Sequence, residues 1–70
     1  MKNNIQIVLG SPLEYEELVA YLWIDGKEIA LVHKEEGGAK MKVQLLDVST
    51  NIYLDVFIEA LQEAKIELLK

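Results

Sequence analysis

Chemistry in this chain of 70 residues would have to start from few groups: the single histidine, His33, the serines Ser11 and Ser49, and clustered glutamates. A serine nucleophile needs a base within hydrogen-bond reach, and both serines fall in turn-like stretches with no histidine placed to activate them. Glu14, Glu16 and Glu17, or Glu35 and Glu36, could be drawn as paired carboxylates. Glycoside hydrolysis, however, needs two such groups facing each other across a cleft, which so small a chain hardly forms. Gly37-Gly38 lacks the Lys-Ser/Thr continuation of a phosphate-binding loop, and the acids do not follow the spacing of a calcium-binding helix-loop-helix. With no cysteine in the sequence, His33 cannot join a Cys/His zinc set. His33 reads as a packed or capping residue, and the chain is expected to have no catalytic residue, no metal and no cofactor. A binding role is left, and binding depends on what the fold brings together.

The charge narrows the partner. Twelve acids oppose seven lysines with no arginine, a net charge of −5, and seven of the acids lie between residues 14 and 36. Binding to phosphates gains affinity by releasing counterions from a basic surface, so nucleic acid is disfavoured. An acidic surface steers basic protein partners, although the same acids would also keep a small domain in solution. The apolar fraction is 51%, yet no run approaches the ~18 residues of a membrane span. Ile5 to Leu9 is too short for a secretory core of ~7–15 residues, so the expectation is a cytoplasmic protein of one domain over residues 1–70. A chain of this length buries only about 60% of its unfolded surface, and with no disulfide to staple it a partner or a second copy becomes useful.

The elements follow from periodicity. Asn4 to Leu9 alternates as a strand and is broken by Gly10-Ser11-Pro12. Glu16 to Ile24 and Lys27 to Lys34 flank Asp25-Gly26, a two-residue hairpin signal, because a type I′ turn needs positive φ at both central positions. After Gly37-Gly38, Lys40 to Asp47 alternates Met41, Val43 and Leu45 against Lys40, Lys42 and Gln44. In the last segment Leu54, Phe57, Ile58, Leu61, Ala64 and Leu68 recur at helical spacing. Tyr53 is a poor cap, but Ile52 and Phe57 are spaced as a hydrophobic staple. The predicted fold is α+β: a four-stranded antiparallel β-meander with one C-terminal α-helix packed on one face.

An uninterrupted hairpin register pairs Trp23 with Glu28, Leu22 with Ile29, Tyr21 with Ala30 and Glu17 with Lys34. One face then carries Leu18, Ala20, Leu22, Ile24, Ile29, Leu31 and His33, continued by Met41, Val43 and Leu45. The helix is expected there, with Leu22, Ile29, Leu31, Val43, Phe57, Ile58 and Leu61 in the shared core. The other face carries Val19, Tyr21, Trp23, Ala30 and Val32. Tyr and Trp are enriched at the energetic centres of interfaces. The expected partner-binding surface is therefore Val19, Tyr21, Trp23 and Val32, rimmed by Glu17, Glu28, Lys40 and Lys42. The plain alternative is that these aromatics sit half-buried on an open sheet.

The stretches "ELVAYLWIDGKEIALVHKEEG" and "YLDVFIEALQEAK" resemble those of small acidic bacterial immunity proteins, antagonists that neutralise a toxin by binding it. The resemblance spans residues 14 to 67 and consists of a hairpin and an amphipathic helix. It implies a protein partner, such as a basic toxin nuclease, occluded by an acidic face. A homodimer is expected as well, through the Tyr21/Trp23 face or a strand edge. A rival from another class is a dimeric single-stranded-DNA-binding protein of the transcriptional-coactivator type. Such proteins also run strands then helix, and they use stacking aromatics beside lysines such as Lys40 and Lys42.

Overall fold

The computed structural model describes residues 4–47 and 49–70. Met1 to Asn3 and Val48 lie outside the described residues. Strands β1 (Ile5–Gly10), β2 (Val19–Ile24), β3 (Lys27–His33) and β4 (Lys42–Leu45) are followed by helix α1 (Leu54–Leu69). The strands form one antiparallel sheet in the order β1-β2-β3-β4, the predicted meander. No helix is long and apolar enough to cross a membrane among the described residues.

The β2–β3 hairpin turns where the Asp-Gly pair requires it. Asp25 has φ 51° and Gly26 φ 81°, the two left-handed residues of a type I′ turn. The turn also holds the start of β1: Asp25 N–H donates to the Asn4 carbonyl at 2.8 Å, and Asn4 N–H donates to Asp25 Oδ1 at 2.9 Å.

The uninterrupted register does not persist. Ile24 pairs with Lys27 and Trp23 with Glu28 as expected, but Leu22 then faces Ala30, Tyr21 faces Leu31, Ala20 faces Val32 and Val19 faces His33. Ile29 is the extra residue of a β-bulge. Its carbonyl accepts N–H groups from Leu46, at 2.8 Å, and Asp47, at 3.2 Å. The bulge thus meets two donors where β4 ends, and this compensates for the interrupted ladder.

A one-residue slip moves every later side chain to the opposite face. Ile29 and Ala30 both enter the core under α1, with Ala20, Leu22, Ile24, Val32, Ala60, Ala64 and Leu68. Leu31 and His33, expected beneath the helix, lie on the other face instead, opposite Tyr21 and Val19. Phe57 and Leu61 are partly buried against the core, as are Ile52, Met41, Ile5 and Ile7.

Helix α1 packs through Ala60, Ala64 and Leu68, whose four-residue spacing makes one stripe. Two fully buried alanines allow the backbone to come close to the sheet, and Leu22 and Ile29 fill the space opposite. Among the described residues no side chain caps the helix N-terminus at Tyr53. At the other end Lys34 Nζ donates to the Leu68 carbonyl at 3.0 Å, a cation on the negative pole of the helix. This bond replaces the expected Glu17–Lys34 cross-strand pair, because β2 begins only at Val19. The helix lies over β1, β2 and β3. The inward side chains of β4 consequently stay exposed, Val43 at 46% and Leu45 at 54%, and Ile58 is 42% exposed on the helix. Val43 and Ile58 are therefore corrected from the expected core to the surface.

Candidate protein-binding surface

On the sheet face away from α1, side chains alternate outward from each strand: Gln6 and Val8 from β1, Val19, Tyr21 and Trp23 from β2, Glu28, Leu31 and His33 from β3, and Lys42 and Gln44 from β4. The segment Ser11 to Leu18, joining β1 to β2, folds back across one half of this face. Tyr15 is its anchor. The Tyr15 ring lies 4.9 Å from the His33 ring, centroid to centroid, at 38°, and its hydroxyl donates to Gln44 Oε1 at 3.0 Å. Farther along, the N–H groups of Glu16 and Glu17 donate to the two Glu35 carboxylate oxygens at 2.9 and 2.8 Å. A carboxylate that accepts backbone N–H bonds is stabilised as the anion. Glu35 accordingly sits below its ordinary pKa of 4.5, chiefly through Glu16 and Glu17.

Beneath this segment Val19 is fully buried and Leu31 nearly so, a second small dry patch with no helix above it. Toward the hairpin the covering ends. Tyr21 and Trp23 are half-buried, Val8 is 48% exposed, and Glu28 and Gln6, opposed to Trp23 on either side, are exposed. Tyr21 leans over Gly10, where a Cβ would lie 2.8 Å from its ring; the glycine is what gives the ring room. Lys42 is ion-paired with Glu36 at the far end, an exposed pair that holds the Glu36 carboxyl below its ordinary value and adds little stability.

The expected contact residues divide on this geometry. Tyr21 and Trp23 share the open face with Glu28 and Lys42. Val19 shares that face but is buried under the Ser11–Leu18 segment. Val32 turns to the helix side and belongs to the core, a consequence of the bulge at Ile29. Glu17 lies in the covering segment, held by Glu35. Lys40 precedes β4 in an exposed turn, its N–H donating to the Gly37 carbonyl at 3.1 Å. Pattern reading missed Tyr15, His33 and Glu35 on this side. The unbroken apolar run Ile29 to Val32 is the available trace of the bulge, since two successive inward residues erase alternation.

Among the described residues no group of three His, Asp or Glu side chains is placed to hold a metal ion. Asp47 accepts from Ser49 N–H, Ser49 Oγ and Thr50 Oγ1, at 3.0, 2.9 and 2.7 Å, and these bonds, Thr50 first, keep its carboxyl below the ordinary value. They close the turn that leads into α1. No protein-family model, curated protein or solved structure matches the chain.

Proposed function

We propose that this chain is a protein-binding module that acts in the cytoplasm by occluding its partner, as an immunity-type antagonist does, and that it is not an enzyme. The observation carrying this reading is the half-buried pair Trp23 and Tyr21 on the part of the sheet that neither α1 nor the Ser11–Leu18 segment covers. Beside it lie the apolar Val8 and the charged Glu28. An aromatic centre with a polar rim is how interface hot spots are built. The net charge of −5 favours a basic partner by steering its approach.

The test uses wild-type and Trp23→Ala chains in parallel as bait, then titrates the recovered partner against both. Wild type should hold a stoichiometric basic protein that Trp23→Ala binds more weakly by over ~2 kcal/mol, with the circular dichroism spectrum unchanged. Tight, salt-sensitive binding of a single-stranded oligonucleotide would favour the nucleic-acid reading instead. Homodimerisation belongs to the same proposal, supported by the uncovered Val43 and Leu45 on the β4 edge. A monomeric mass by light scattering at micromolar concentration would remove it.

A further inference from the structure

The two edges of the sheet are protected very differently. Edge strands invite pairing by another chain, and proteins blunt them with shortness, charge, proline or a bulge. Strand β4 is four residues long, carries Lys42 paired to Glu36, and ends at the Asp47 turn. Strand β1, Ile5 to Gly10, reads IQIVLG, with no charge and no proline. Because Asp25 donates to the Asn4 carbonyl, the alternation of an antiparallel ladder sends the N–H and C=O groups of Ile5, Ile7 and Leu9 away from β2. These are three consecutive docking positions for a further strand.

The wall above that edge is acidic. An open groove of about 380 Å³ runs between β1 and α1, lined by Ile7, Glu63, Ile66 and Glu67. Glu59, one turn before Glu63, continues the same flank at four-residue spacing. Lys70 offsets part of this charge through Glu67 at 2.6 Å. Three like charges at that spacing repel one another along the helix, so the flank is not optimised for the helix alone. Were two copies to join β1 to β1, their acidic flanks would face each other across the new pair, and Coulomb repulsion opposes that arrangement.

We propose that the β1 edge takes up an extended, lysine- or arginine-bearing segment of a protein partner as a fifth strand of the sheet. Alternate residues of the added strand fall on the helix side. There a long basic side chain lays its methylenes along Ile7 and Ile66 and brings its charge to Glu63 and Glu67. The intervening residues fall on the open face beside Val8. This rests on the protein-binding reading above but uses an edge that Trp23 does not line.

The probe is a short synthetic peptide alternating valine and lysine, compared with its valine–glutamate counterpart, and followed by amide exchange and chemical shifts of the full chain. The lysine peptide should protect the Ile7 and Leu9 amides, and the glutamate peptide should not. Leu9→Pro, which removes an outward N–H that β2 does not use, should weaken peptide binding roughly ten-fold or more. Glu63→Lys, an exposed change that leaves the ladder alone, should weaken it comparably, while Trp23→Ala should not change it. The proposal is overturned if β1 amides stay unprotected or if Leu9→Pro and Glu63→Lys bind like wild type. It is equally overturned if the peptide instead shifts residues around Trp23, or if Ile7 and Leu9 are already protected in peptide-free dimers. A partner lost with Trp23→Ala while the β1 edge binds no peptide would leave the occlusion reading standing and the strand-addition site refuted.

Discussion

The two faces of this sheet are dried by different means. Under α1, burial is continuous: Leu22, Ile29 and Ala30 meet the close-packed stripe of Ala60, Ala64 and Leu68. On the opposite face, burial of Val19 and Leu31 depends on an eight-residue crossing, Ser11 to Leu18, tied down by Tyr15 and Glu35. The first face draws its stability from apolar area, which is insensitive to pH. The second draws on a few exposed polar bonds and should open more readily than the core. That division allows one face to specify the fold while the other is available for contact.

The largest effects should come from the helix face. Leu22→Ala removes a fully buried side chain and should cost about 2–5 kcal/mol, a large share of the stability of so small a domain. Thermal or urea unfolding measures it; a cost near zero would mean that the two faces do not differ as described. Ala64→Leu tests the same face from the other direction, because added methylenes there must push α1 off the sheet. It should cost about 1–3 kcal/mol.

Trp23→Ala marks the contrast. Its half-buried ring should contribute less to stability than Leu22 does, while dominating partner affinity as described above. If it unfolds the chain as completely as Leu22→Ala, the open face is core and the comparison fails.

Acid should act on the second face first. Glu35 is held below its ordinary value of 4.5 in the folded state by the Glu16 and Glu17 amides. Its contribution is therefore fully present above that value and is lost as pH falls through the lower folded-state pKa. Lowering pH through this range should reduce the exchange protection factors of the Glu16 and Glu17 amides, taken against the intrinsic rate at each pH, while the Leu22 and Ala30 amides stay protected. Loss of protection at both sites together would show a single cooperative unit. Smallest of all, Tyr15→Phe deletes the exposed hydroxyl bond to Gln44 and should cost about 0.5 kcal/mol, with the ring still against His33 by the pattern of cross-peaks between them.

Local chemistry determined much of this architecture. Asp25-Gly26 can take positive φ in sequence, so the hairpin and its first two pairs are legible without any partner strand. The apolar recurrence from Leu54 onward likewise specifies a helix with one dry side. The alternation of β4 is legible too, yet which of its side chains are buried is not, because coverage depends on where α1 comes to rest. Long-range contacts decided the remainder. The Ile29 bulge is supported by donors from Leu46 and Asp47, just past the end of β4, and it exchanges Val32 for Leu31 as the residue beneath the helix. Closure of the Ser11–Leu18 segment depends on Glu35 and Gln44, each far away along the chain. A strand's period of two holds only while its ladder is unbroken; once another element supplies hydrogen bonds that favour an extra residue, the faces are assigned in three dimensions.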